Sequence, residues 1–313
     1  MNRLCRAVLA LALGYPALAG GGDLVGDVRA AADARNFTAA EREIQNYRAT
    51  AGATPEMLEA LSWLARGALE AKQYDRADGY ATETERLSLE ILRRTGHGSA
   101  PLANALGAAI EVHAQVLAAR SQRSEAIAYL EKELAGYRQT PLAPRIQKNI
   151  NLLTLHGKPA PVLDISRWLG PKPRSLAALK GHPVLLFFWA HWCSDCKAEV
   201  PILARLMEQY GPRGLVLVGP TQPYGYAAGG AEVTPEQEIR YIDQVRTQYY
   251  SPLHAMPVPV SAENFQRYGC STTPTLVLLD RAGNVRLYHP GAMTYEALAD
   301  SIKRVAGLSG RRP

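Results

Sequence analysis

Apolar positions follow two different rhythms along this chain. From about residue 23 to 155 they recur at the three-and-four spacing of amphipathic helices, in a background rich in alanine, leucine, glutamate and arginine, with almost no strand signal. Three stretches, Asn36 to Glu41, Gln73 to Asp78 and Gln122 to Ile127, share one pattern. Each predicts the turn and second-helix start of a helical hairpin, with a small alanine (Ala40, Ala77, Ala126) where helices must approach closely. Hairpins of this kind bury their faces only against neighbours, and three is about the minimum number.

The rhythm breaks at Gly157-Lys158-Pro159-Ala160-Pro161, read as a linker. Beyond it, Leu163 to Leu169 predicts a short first element, and Ser175 to Pro183 a helical turn ended by glycine. Strands are predicted at Val184–Trp189, Leu215–Gly219 and Thr275–Asp280, with an extended piece at Val258–Val260. Helices are expected from the residues after Cys196 to Tyr210, near Pro235–Tyr250, and at Thr294–Val305. A hairpin through Ala282-Gly283-Asn284 leads to Val285–Tyr288. The predicted architecture is an α/β sandwich with a mixed sheet flanked by helices, preceded by an all-α domain.

The chemistry concentrates where the Val184–Trp189 run meets Trp192-Cys193-Ser194-Asp195-Cys196. A strand that delivers two cysteines, three apart, to a helix start brings both sulfurs to one helical face. The helix N-terminus carries partial positive charge and unpaired N–H groups, which favour a thiolate. Cys193, at the helix end with its sulfur expected to be exposed, reads as the nucleophile, and Cys196, a turn inside, as the resolving thiol. A structural disulfide, or half of a zinc site with His191 as third ligand, is the alternative. Zinc usually takes four closed ligands from two spaced pairs, and one pair exists here. Haem attachment is excluded because Lys197 stands where histidine would be required. Glu199 falls three residues after Cys196, near the pair, where a buried carboxylate can accept or return a proton; the alternative is a solvated glutamate paired with Lys197 or Arg205. Pro201 lies inside the helix and should kink it. No metal or other cofactor is expected.

Cys193 to Pro201 read Cys-x-x-Cys-Lys-x-Glu-x-Pro, and about seventy residues later Thr272-Thr273-Pro274-Thr275 enters a strand. With these motifs, residues from about 160 to 308 resemble the TlpA/ResA group of extracytoplasmic thiol-disulfide oxidoreductases of the thioredoxin fold. The resemblance implies a cis-proline, Pro274, against the cysteine pair. It implies that Thr273 offers its backbone to a substrate chain, that Trp192 shields the disulfide, and that Glu199 handles protons of the dithiol. It also implies reduction of protein disulfides with electrons from a membrane thiol donor. The sequence departs from cytosolic thioredoxins at Phe187, where they keep a buried aspartate, which leaves Glu199 as the nearby acid. The helical half looks like a tetratricopeptide-type module, although Ala40, Ala77 and Ala126 lie 37 and 49 residues apart and Arg123 replaces the usual aromatic or glycine. Such a module could dock a partner protein or simply stabilise the chain.

Two rivals remain. A peroxide-reducing redoxin shares the fold but usually has a threonine-x-x-cysteine arrangement. A binding protein whose dithiol is residual would not need the Cys193, Cys196, Glu199 and Thr273-Pro274 set. The loop Thr221 to Gly230 follows a strand end and could form a lip over the site or an ordinary excursion. Cys270 takes a position calling for a small buried apolar side chain, so packing is expected.

The first residues carry Arg3 and Arg6, an apolar run Ala7 to Leu13, and Ala17-Leu18-Ala19, the order of a secretory leader spanning 1–19. Cys5 is expected to leave with it, and the net charge of +6 falls by two, to +4. No retained membrane span is expected. The divisions expected are thus 1–19, a helical domain at 23–156 and a redox domain at 157–310, exported and soluble after cleavage. Three remaining cysteines suit a redox protein in an oxidising compartment better than a disulfide-stapled scaffold. Basic runs interleaved with aromatics are lacking, and no nucleic-acid partner is expected. His97, His113 and His156 read as surface or satisfied helical histidines.

Overall fold

The computed structural model describes residues 23–96 and 98–305. The expected leader with Cys5, His97 and the Arg311-Arg312 tail lie outside the described residues. Seven helices come first: α1 (Leu24–Asp33), α2 (Phe37–Ala51), α3 (Pro55–Glu70), α4 (Tyr74–Thr95), α5 (Ala100–Ala119), α6 (Arg123–Tyr137) and α7 (Ala143–Thr154). One turn geometry recurs three times. Arg35, Lys72 and Ser121 take left-handed φ values of 58°, 58° and 65°. The next residue's N–H then closes back on Ala31, Ala68 and Leu117, each five residues earlier. Asn36, Gln73 and Gln122 follow directly as N-caps of α2, α4 and α6. Ala40, Ala77 and Ala126 are fully buried one turn later, where a larger side chain would hold the helices apart. Among the described residues α5 alone is long and apolar enough to cross a membrane, but more than half of it is buried within the protein. His113 is not solitary: its Nδ1 lies 2.6 Å from Asp78 and its ring stands edge-on to Tyr129.

The second half contains β1 (Trp168–Leu169), β2 (Val184–Phe188), α8 (Ser194–Tyr210), β3 (Val216–Val218), α9 (Pro235–Tyr249), β4 (Val258–Pro259), α10 (Ala262–Tyr268), β5 (Thr275–Leu279), β6 (Val285–Pro290) and α11 (Tyr295–Val305). The main sheet runs β3-β2-β5-β6, with β2 and β3 parallel and the other pairs antiparallel. Strands β1 and β4 form a separate antiparallel pair. Only the last two residues of the Leu163–Leu169 stretch are strand, and α10 lies where the sequence pattern predicts no element.

β2 and β5 are buried on both faces, and their alternation sorts the core into two layers. Leu185, Phe187, Leu276 and Leu278 pack with α8, α9 and α11. Val184, Leu186, Phe188, Val277 and Leu279 pack with Phe265 and Tyr268 of α10. The Gly157–Pro161 stretch is tied down rather than free. The N–H groups of Gly157 and Ala160 donate to the carbonyls of Val285 and Gly283 in the β5–β6 hairpin. Leu155, at the end of α7, is buried in the α10-side core.

The two halves meet at α7 and α10. Asn151 Nδ2 donates to the Arg267 carbonyl at 3.4 Å. Gly269, which ends α10, has φ +60°, and a Cβ there would lie 2.7 Å from the Gln147 carbonyl carbon, inside backbone. Glycine is required here by conformation and by space together.

Candidate active site

Strand β2 ends at Phe188, and Trp189-Ala190-His191-Trp192 carry the chain to Cys193, the N-cap of α8. Cys193 and Cys196 are joined in a disulfide, and Cys193 Sγ accepts the N–H of Cys196 at 3.0 Å. The first turn of the helix thus directs a donor at this sulfur, an arrangement that stabilises negative charge on it. The expectation of an exposed Cys193 is corrected: it is 3% exposed and Cys196 is fully buried. The cover comes from a distant part of the chain, since the Thr273 carbonyl oxygen lies 3.5 Å from Cys193 Sγ.

Thr273–Pro274 is a cis peptide bond. Its loop is held on both sides: Thr275 Oγ1 donates to the Thr272 carbonyl at 2.7 Å, and Gly291 N–H to the Pro274 carbonyl at 2.8 Å. Thr273 Oγ1 is buried without a hydrogen-bond partner. Trp192 is 49% exposed and stands edge-on to Tyr224, so it forms a rim rather than a lid.

Glu199 is 2% exposed on α8. Its carboxylate accepts the Met293 N–H at 3.3 Å from the loop before α11. Burial pushes its pKa up, the Met293 bond opposes this, and Asp195 adds to the rise. The basic side chains considered as its partners are engaged elsewhere, Lys197 over the Tyr249 ring and Arg205 over Tyr295. Pro201 lies within α8, which continues through it to Tyr210.

A second polar cluster adjoins the dithiol. His191 and Glu238, each 1% exposed, meet at 3.2 Å. Glu238 also accepts the N–H groups of Tyr224 and Gly225, the latter at 2.8 Å. Three tyrosine rings, Tyr224, Tyr226 and Tyr241, stand edge-on around the imidazole at 5.3–5.6 Å. Burial lowers the His191 pKa, with Glu238 acting the other way. Glu238 Oε1, flanked by N–H donors, requires His191 Nε2 to carry the ring proton. Thr221 Oγ1 donates to the Trp189 carbonyl at 2.8 Å. The Thr221–Gly230 loop is therefore pinned beside the site at both the strand end and its middle.

Residues 173–306 match the family model described as a thioredoxin-like domain. The C-terminal half is a thioredoxin-like domain. The chain is similar to thioredoxin-like protein YneN of Bacillus subtilis (strain 168), 28% identical over 147 residues, covering 47% of this chain and 78% of that protein. It is similar to thiol-disulfide oxidoreductase ResA of Bacillus thuringiensis (strain Al Hakam), 28% identical over 153 residues, 48% of this chain and 78% of that one. A shorter match, 38% identical over 63 residues, covers 20% of this chain and 33% of thiol:disulfide interchange protein DsbE of Pseudomonas fluorescens biotype C. The Cys193–Cys196 pair fits the Cys-x-x-Cys dithiol of such proteins.

Within the thioredoxin-like domain, Cys193, Cys196 and the Thr273 carbonyl come together, with Glu199 a turn along the helix and Trp192 at the rim. Cys270 stands apart. It is buried in the α10-side core, whereas the dithiol belongs to the α8 side of the sheet. Burial pushes its thiol pKa well up. Sequence reasoning missed Glu238, an acidic residue in the first turn of α9 that could have been suspected as a helix-start carboxylate but not as the partner of His191.

Proposed function

We propose that this protein is an exported thiol-disulfide oxidoreductase that reduces protein disulfides through Cys193 and Cys196. The observation that carries the reading is the Cys196 N–H aimed at Cys193 Sγ beneath the Thr273 carbonyl. In the reduced protein the Cys193 thiolate attacks one sulfur of a substrate disulfide. A Cys193–substrate disulfide forms and the other substrate sulfur leaves as thiolate. Cys196, deprotonated, then attacks Cys193 Sγ. The second substrate sulfur departs as thiolate; the protein, now carrying the Cys193–Cys196 disulfide, has given up two electrons, which reside on the two substrate thiols.

Glu199 is the proton acceptor for Cys196 in this scheme. It sits one helical turn on, and burial gives it a raised affinity for a proton. Trp192, Thr273 and Pro274 bind the substrate strand, with the Thr273 backbone as a β-type pairing edge. A dithiol donor, proposed to be membrane-held, regenerates the reduced state. The leader-like first 19 residues and the naming of relatives as thiol-disulfide oxidoreductases support an extracytoplasmic setting. The helical half, proposed at 23–156 beside a redox domain at 157–310, is read as a tetratricopeptide-like docking module. The three repeated turns at Arg35, Lys72 and Ser121 support that reading.

The test is trapping. Cys196→Ser should accumulate Cys193-linked mixed disulfides, and Cys193→Ser should lose reductase activity. A Cys196→Ser variant that turns over a protein disulfide at the parental rate would overturn the scheme.

A further inference from the structure

A cavity of about 490 Å³ lies between the two halves, lined among others by Arg66, Glu111, Arg145, Lys148, Ser271 and Thr272. Its helical wall holds three cations and one carboxylate. Glu111 is already committed: Oε2 accepts Arg145 Nε at 2.8 Å, and Oε1 accepts Lys148 Nζ at 2.9 Å and Gln115 Nε2 at 3.2 Å. Arg66 has no such partner. Its Nε is buried and makes no hydrogen bond, and its guanidinium lies over the Trp63 ring at 4.4 Å. Glu59 attracts Arg66 at longer range, but its carboxylate accepts Asn104 Nδ2 at 2.9 Å. Burial and the neighbouring Arg145 pull the Arg66 pKa down to about 10, with Glu111 and Glu59 acting the other way, and among the cavity's lining residues three cations face one carboxylate. A buried guanidinium nitrogen without a hydrogen-bond partner is costly, and a planar guanidinium suits a carboxylate.

The opposite wall decides what kind of anion fits. Ser271 and Thr272 are exposed, and the next residue is Thr273, whose carbonyl lies 3.5 Å from Cys193 Sγ. Consecutive Cα atoms are about 3.8 Å apart, so a chain paired with Thr273 passes the cavity mouth within about two residues. We propose that this cavity binds a carboxylate side chain of the polypeptide substrate, placed two or three residues from the cysteine that Cys193 attacks. The inference rests on the reading of Cys193 as the attacking sulfur.

The experiment uses disulfide-linked peptides that differ only in glutamate or glutamine at that position, with single-turnover reduction by the reduced full-length protein. The glutamate peptide should react about tenfold faster at low salt, a factor equal to about 1.4 kcal/mol, and the ratio should fall toward one at high salt. In Arg66→Gln the two peptides should react alike. If that variant does not fold, the salt dependence in the parental protein still decides. Equal rates for both peptides in the parental protein would overturn the carboxylate site and leave the redox reading standing. Failure to reduce either peptide would overturn the redox reading and the site with it. A melting-temperature rise with free succinate, without any peptide preference, would make this a small-anion pocket and defeat the proposal.

Discussion

The backbone N–H of Cys196 donates to the sulfur of Cys193 at 3.0 Å, so the two redox partners are not electrostatically equal. Cys193 caps the helix and receives its dipole; Cys196 lies inside the first turn and does not. In the reduced protein at neutral pH, iodoacetamide should therefore modify Cys193 first, by at least about tenfold over Cys196. Mass mapping after brief alkylation checks this, and label appearing first on Cys196 would reverse the assigned roles.

Glu199 predicts a pH effect of definite sign. Burial raises its pKa above the ordinary 4.5, so the folded protein holds this proton where the unfolded chain has released it. The stability it contributes is present in full below about pH 4.5 and is lost as pH rises through the folded value. Glu199→Gln keeps an acceptor for the Met293 N–H without the charge. The oxidised variant should be more stable than the parent at pH 7, by about 1 kcal/mol, and equal to it near pH 4. Denaturant melts at the two pH values measure the difference. As the proton acceptor works only when deprotonated, the pH–rate profile of reduction should flatten on its acid limb in the same variant; superimposable profiles would remove Glu199 from proton handling.

Glu238→Ala should release the Thr221–Gly230 loop. It strips the acceptor from the Tyr224 and Gly225 N–H groups and leaves the buried His191 unpartnered. A loss of about 3 kcal/mol is expected, with new proteolytic cuts confined to this loop. Cleavage spread evenly over the chain would mean that the carboxylate supports the fold in general.

Cys270 belongs to the opposite layer of the sheet from the dithiol. Cys270→Val should keep most reductase activity and cost no more than about 1 kcal/mol. Thiol titration of the oxidised, leader-free protein should find one slow thiol. Finding none, together with lost turnover in the valine variant, would make Cys270 a redox participant.

The position of Leu155 makes a prediction about the boundary between the halves. Its side chain is buried with Phe265 and Val277, although it precedes the Gly157–Pro161 stretch. A fragment starting at residue 143, which keeps α7, should exceed one starting at 157 in stability by about 2 kcal/mol. Equal denaturation midpoints for the two would show that α7 contributes nothing to the redox core.

The parts that were legible in sequence are those written locally. A buried strand running into Cys193-x-x-Cys196, the Pro274-led strand and the caps at Asn36, Gln73 and Gln122 each occupy a few contiguous residues. What escaped depends on long-range closure. Glu238 lies 47 residues from His191, and no local pattern joins them. The Thr273 carbonyl that covers Cys193 comes from 80 residues away, and for that reason the expected exposure was wrong. Helix α10 escaped for another reason: seven residues are too few to establish a period.

Gly269 gives the interface between the halves a mechanical meaning. Its bare backbone is seated against Gln147 and Lys148 of α7, and four residues further on stands the carbonyl that faces Cys193. Only four residues of chain separate the α7 contact from that carbonyl, so a substitution that displaces α7 should be read out as a change in Cys193 reactivity.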